Sequence, residues 1–186
     1  MTVQRHFADT FETGDVVTGS GGDTGIDAVA ILVNGMLVSD IETFEDHAEI
    51  PGTLDVTFIF VQAERSPSFD SAKIGVFGYG VADFFNDAPK LPRTAQMNEA
   101  AGIMQAIYRL SSKFKGKNPA CRLYYVTTGK WQGDAVLEAR RKAVQEDLEA
   151  TDLFRDVEFG YQRSVIVAVF GPQKCNGSDT RAETIE

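Results

Sequence analysis

"DVTFIFVQAERSPSFDSAKIGVFGYGVADFF", residues 55–85, decides the fold, because its hydrophobic period changes partway along. Residues 55–64 are dominated by β-branched and aromatic side chains, which predicts a strand built for burial. Ile74, Phe77, Val81 and Phe84 then recur at three- and four-residue intervals, which predicts an amphipathic helix. Between the two periods the apolar run stops in Gln62, Glu64 and Arg65. Gln62 and Glu64 are two apart on the strand, so both project from the same sheet face. A ribbon made for burial that finishes in an amide and two charges needs a reason.

The flanking sequence supplies its neighbours. Residues 26–33 of "IDAVAILVNGMLVSD" are nearly all apolar or β-branched, Asn34-Gly35 is a strong two-residue hairpin signal, and "MLVS" supplies a returning strand. Residues 4–12 suit a short helix, and "GDVVTGSGGDTG" reads as a glycine-rich connection. "HAEIPGT" breaks the pattern before the strand at 55–64. Downstream, Met97, Ala101, Met104 and Tyr108 mark a second amphipathic helix. "CRLYYVT", residues 121–127, is a strand, and residues 134–149 form a charged helix with Leu137 and Val144 turned inward. "VEFGY" and "SVIVAVF" complete the strands. This order predicts an α/β sandwich with a central mixed sheet flanked by helices. Residues 1–170 are expected to form one domain, and the polar tail 171–186 has too little to bury and is expected to be disordered.

No run reaches the length and purity of a membrane span, and the first residues lack the basic start and apolar core of a signal peptide, so a cytoplasmic protein is expected. Cys121 and Cys175 have no metal spacing and read as free thiols. The formal charge of −9 hides an asymmetry along the chain. Residues 1–60 hold eleven Asp and Glu against Arg5, whereas residues 113–142 hold eight basic residues against Asp134 and Glu138. An acidic end suited to a metal is thus joined to a basic segment suited to phosphate, although solvated faces alone would give the same pattern.

Several chemistries drop out. His6 and His47 lie far from any Ser or Cys elbow, against a Ser-His-Asp or Cys-His centre. "GSGGDTG" lacks the Lys-Ser/Thr of a P-loop and precedes a strand, so it reads as a turn. What remains is a set of oxygen ligands. Asp27 begins a strand that otherwise wants burial, a costly place for a carboxylate unless something compensates it. If the strand at 55–64 lies beside the hairpin, Asp27 would converge with the Gln62/Glu64 face at one sheet end. Two carboxylates with an amide or backbone carbonyl suit Mg²⁺, a hard cation that keeps several waters and often meets phosphate. The bland alternative is a pair of strand-end polar residues reaching solvent.

"GGDTGIDAVAILVNG", the stretch from Asp55 to Phe85, and "NPACRLYYVTTGKW" together resemble the amino-terminal domain of AIPR proteins, the abortive-infection phage-resistance family. That domain in turn resembles the Mrr-like form of the PD-(D/E)XK, or restriction-endonuclease-like, nuclease fold. The likeness runs from about Gly21 to about Phe159. It implies a metal-dependent nuclease of phage defence, using Mg²⁺ or Mn²⁺ on DNA, with RNA as the other nucleic acid to consider. Asp27 in "GID" matches the first metal-binding aspartate and Gln62 in "QAE" the second position, with the Ala63 carbonyl as a further ligand. Glu12 is a candidate for the acidic residue that a first helix sometimes adds.

Glu64 departs from the family pattern, which has a lysine there to serve the attacking water and the charge developing on phosphate. Three readings stay open: a working nuclease whose positive role has moved to Lys73 or Arg65, with Glu64 as an extra ligand; a nuclease-dead module that binds nucleic acid or protein; or an inactivating change. Nucleic-acid contact would fall to Lys113, Lys115, Lys117, Lys130, Arg140 and Arg141, with Trp131 or Tyr125 for stacking, although core packing is the preferred role for Tyr125. A homodimer or protein partner is the remaining partner class.

Overall fold

The computed structural model describes residues 17–18, 25–115, 118–131 and 133–163. The helix expected at 4–12, the strand "SVIVAVF", the tail 171–186, Glu12 and Lys117 lie outside the described residues. One six-stranded mixed sheet organises the rest: β1 (Val17–Thr18), β2 (Ala28–Val33), β3 (Met36–Val38), β4 (Val56–Glu64), β5 (Ala120–Thr127) and β6 (Asp156–Arg163). The order is β1-β2-β4-β5-β6, with β3 paired beside β2. β2 is antiparallel to β1, β3 and β4, whereas β4, β5 and β6 run parallel. The helices are α1 (Ile41–Glu49), α2 (Ser71–Phe84), α3 (Ala95–Arg109) and α4 (Ala135–Glu149). This is the α/β class expected, a mixed sheet flanked by helices.

The chain turns where its residues permit. Asn34 and Gly35 both adopt positive φ, 52° and 81°, as a tight hairpin turn requires. Parallel β4 and β5 need a long crossover, and α2 and α3 supply it. Asp70, Thr94 and Asp134 cap α2, α3 and α4 by accepting backbone N–H groups of the first turn. α1 was not legible from periodicity, because Phe44 and Ala48 alone mark its buried face. Its signal is local: the Asp40 carboxylate accepts the Thr43 N–H at 2.7 Å.

Alternation along the strands makes two apolar faces. Val29, Ile31, Val33, Val56, Phe58, Phe60, Cys121 and Leu123 join the main core, to which all four helices contribute, including Phe44, Ile74, Phe77, Ile107, Val144 and Leu148. Val144 turns inward as expected, while Leu137 is half-buried and Leu148 forms the deeper contact. Ala30, Leu32, Ile59 and Tyr124 form a smaller cluster on the other face. α2 meets α4 closely: a Cβ on Gly78 would stand 2.5 Å from both Val144 methyl groups. Because β4, β5 and β6 run parallel, their carboxyl ends share one edge of the sheet. Antiparallel β2 begins at that same edge, and so Asp27 arrives there.

Candidate functional site

The register sets the site. The β2/β4 register ends with Ala28 opposite Val61; Asp27, just before β2, lies against β4 between residues 61 and 63, bonded to both. Gln62 in turn pairs with Tyr125, and Tyr125 with Tyr161, across the parallel strands. Gln62, Tyr125 and Tyr161 therefore form a row across β4, β5 and β6, on the face that carries Phe58, Phe60 and Leu123, and Asp27 meets its β4 end through the Ala63 N–H. Glu64 stands two residues beyond Gln62 on the same face. The convergence expected between Asp27 and the Gln62/Glu64 face is present.

Asp27 is held from both sides of its peptide. Its N–H donates to the Val61 carbonyl at 2.8 Å, and its Oδ2 accepts the Ala63 N–H at 2.6 Å. Residues 61 and 63 of β4 therefore both turn their backbone toward β2, which leaves the Ala63 carbonyl on the Asp27 side. There, among the described residues, it accepts the Gln62 side-chain amide at 3.5 Å. Gly25 fixes the entry to the strand: its φ is +67°, and a Cβ there would lie 3.0 Å from the Phe77 backbone in α2. Burial raises the Asp27 pKa above its usual value; the Ala63 N–H works against this, and the Glu64 carboxylate adds to it.

Glu64 forms an ion pair with Lys73 in the first turn of α2. The glutamate side chain is 18% exposed and the lysine 51%. The connection between them is pinned by β5: Thr127 Oγ1 donates to the Ser66 carbonyl, and a Cβ on Gly129 would run into the Pro67 carbonyl oxygen. Asp70 caps α2, with its Oδ1 accepting the Ala72 N–H at 2.8 Å and the Lys73 N–H at 3.4 Å. Strand end, loop and helix start are thus one locked assembly.

Two buried polar atoms in the row, the Gln62 Oε1 and the Tyr125 hydroxyl, make no full hydrogen bond among the described residues, although the Asp70 backbone N–H acts on the hydroxyl. Tyr125 is fully buried, so packing is its role and stacking on a base is not. Burial pushes its pKa up to about 12, with the negative charges of Glu64, Asp70 and Asp27 acting in the same direction and the Asp70 backbone N–H acting against them. A phenol so placed stays protonated and is a hydrogen-bond donor, not a nucleophile. Sequence reasoning missed this role, since only the β4/β5 register brings Tyr125 to Gln62. Beyond it, Phe69, Trp131 and Tyr161 form an aromatic wall, with Trp131 stacked on Tyr161 at 4.0 Å.

The donor set is oxygen throughout: Asp27, Glu64, the Ala63 carbonyl and the orphaned Gln62 Oε1. Among the described residues no three Asp, Glu, His or Cys side chains gather as a metal centre. Two carboxylates and two amide-type oxygens nevertheless fit a hard divalent cation that keeps part of its water shell. The unpartnered Gln62 oxygen is the observation that best matches such a guest.

The basic residues divide. Lys113 and Lys115 lie at the opposite edge of the sheet, beside the start of β4: the Lys113 ammonium donates to the Ala48 carbonyl at 2.7 Å, and the Lys115 N–H to the Leu54 carbonyl at 3.0 Å. β4 has nine residues, which at about 3.3 Å each separate the two edges by roughly 25 Å. Arg141 is engaged within the fold, paired with Glu138 and donating to the Phe159 carbonyl at 3.3 Å. Lys130 follows the end of β5 and is exposed at the site's edge. Arg140, also exposed, lies with its Cδ 3.6 Å from the position of a Cβ on Gly75, in the first half of α2. Among the described residues, Lys73, Lys130, Arg140 and exposed Arg65 are cations on the Asp27 side.

Comparison with family models, with curated proteins and with solved structures found no match.

Proposed function

We propose that this chain is a metal-dependent phosphodiester hydrolase of the restriction-endonuclease-like kind, acting on DNA in phage defence, with its site at the carboxyl edge of β4 and β5. The observation that carries this reading is the Asp27 carboxylate held on the Ala63 N–H, between Gln62 and Glu64, with the Gln62 oxygen buried and without a partner among the described residues. The resemblance to the AIPR amino-terminal domain supports it, since the same residues fall on the motif positions. So does the strand order, which sets antiparallel β2 beside β4 and parallel β5 beyond it.

Asp27, Gln62, the Ala63 carbonyl and Glu64 would hold Mg²⁺ or Mn²⁺. Such an ion polarises a phosphoryl oxygen and lowers the pKa of a bound water. Asp27 is fixed for this by the Ala63 N–H, which occupies Oδ2 and leaves Oδ1 to turn outward. Lys73 reaches the position that a motif lysine would serve, although from α2 instead of β4. Lys130 and Arg140 extend the positive surface toward a phosphate backbone, and the aromatic wall limits water on the β6 side.

A second reading rests on Glu64. With a carboxylate where the motif has lysine, and with Lys73 neutralised by it, the domain would bind nucleic acid or a protein partner without cutting. One experiment separates the two: plasmid and single-stranded DNA and RNA are incubated with wild type, Asp27→Ala and Glu64→Lys in Mg²⁺ or Mn²⁺. Cleavage by wild type, reduced at least about a hundredfold in Asp27→Ala, is the expected result. Cleavage by Glu64→Lys alone selects the binding module, and equal cleavage by wild type and Asp27→Ala removes this site from the reaction.

A further inference from the structure

We infer that Glu64 and Lys73 form a latch: Glu64 withholds Lys73 from phosphate until a divalent cation takes the glutamate, so that nucleic-acid binding is cation-dependent. The inference rests on the reading of this edge as a cation site. Its basis is geometric. Glu64 ends β4 and Lys73 lies in the first turn of α2, and the loop between them is tied to β5 at Ser66 and Pro67. The Asp70 cap fixes where the lysine stem starts, leaving only its long side chain to move.

The charges make the latch two-state. Without a cation, Asp27, Glu64 and Lys73 together carry a formal charge of about −1, which repels phosphate. A divalent ion shared by Asp27 and Glu64 reverses the sign to about +1, and frees the ammonium at the same moment. Opening costs little, because an ion pair with its lysine half-exposed contributes only weakly to the folded state. The inner row explains what the cation gains: the Gln62 Oε1 is buried without a partner among the described residues. The Glu64 carboxylate thus does more than mark a missing motif lysine, since it couples the two ligands of the site.

The coupling is reciprocal and falls within the range of about 5- to 150-fold typical of linked sites. Affinity for a short labelled DNA duplex is measured by anisotropy in EDTA and in Ca²⁺, for wild type, Lys73→Ala, Glu64→Gln and the double variant. Wild type should bind at least about fivefold tighter in Ca²⁺, and Lys73→Ala should lose most of that gain. Glu64→Gln should already bind tightly in EDTA, and the double variant should fall back to the wild-type level in EDTA. If the gain of Glu64→Gln survives in the double variant, mere removal of a negative charge explains it and the latch is overturned. Full Ca²⁺ stimulation in Lys73→Ala overturns it equally, and leaves the cation site standing. A Glu64→Gln gain that needs Lys73, with wild type indifferent to Ca²⁺, overturns the cation-driven latch together with the cation site and leaves an ion pair that masks Lys73.

Discussion

The two edges of the sheet use the same residue types in opposite ways. Where β4 and β5 begin, polar groups are matched: Asp55 pairs with Arg155 at 2.6 Å, and Arg155 reaches Asp156 at 3.2 Å. Asn34 exchanges bonds with the Asp55 backbone, and Lys113 takes the Ala48 carbonyl near the end of α1. Where the same strands end, Asp27 is pushed up in pKa by burial, and Gln62 and Tyr125 each bury a polar atom that makes no full hydrogen bond among the described residues. A buried polar atom that nothing satisfies is expensive, so an edge that keeps two is arranged around something other than stability.

The largest effect that could break this comparison concerns nucleic acid. The double variant Lys130→Ala/Arg140→Ala should weaken duplex binding about tenfold and lower the salt slope by about 0.9 for each phosphate contact removed. Lys113→Ala/Lys115→Ala should leave both nearly unchanged. Its expected cost is thermal: the Lys113 ammonium holds a carbonyl near the end of α1, and losing roughly 1 kcal/mol lowers the Tm by about 2–4 °C in a domain of this size. Binding lost mainly in the Lys113/Lys115 variant would move the interface to the wrong edge.

A smaller effect separates the edges by pH. The folded-state pKa of Asp27 lies above its usual value near 3.8, so its ionisation opposes folding. Below the unfolded value both states are protonated and there is no penalty; as pH rises through the folded value the penalty appears in full. Asp27→Asn can still accept the Ala63 N–H and should therefore raise the Tm near neutral pH, with the gain shrinking to nothing in acid. Asp55→Asn, which loses the partner of Arg155, should lower the Tm in the same neutral range. Mn²⁺ should raise the Tm of wild type and not of Asp27→Asn, as a folded-state ligand requires.

How much of this was legible depended on the range of the signal. The hairpin at Asn34-Gly35, the strand-to-helix change after Glu64 and the period of Ile74, Phe77 and Val81 are local, and sequence alone gives them. Asp27 was legible as an anomaly, a carboxylate at the start of an apolar strand. Glu64 was legible only as a departure from a resembled motif, and its partner Lys73, nine residues on, only as one of two candidates. Tyr125 was not legible in its role, because nothing in "CRLYYVT" says that residue 125 will stand beside residue 62. The basic run from Lys113 to Lys142 misled for the same reason: β5 crosses the sheet between Lys115 and Lys130 and delivers them to opposite edges.

Tyr125→Phe gives the smallest and most discriminating expectation. The ring fills the core at full burial, and phenylalanine preserves its shape while deleting a hydroxyl that makes no full hydrogen bond among the described residues, with only the Asp70 backbone N–H acting on it. Removing a satisfied buried hydroxyl usually costs about 1 kcal/mol, whereas removing an orphan is neutral or favourable. The Tm of Tyr125→Phe should therefore equal or slightly exceed that of wild type, while its stabilisation by Mn²⁺ should diminish if the hydroxyl donates to water around the cation. A clear drop in Tm would mean that the hydroxyl is bonded in the folded protein. The contrast between the edges would then lose one of its two orphaned atoms and rest on Gln62 and Asp27.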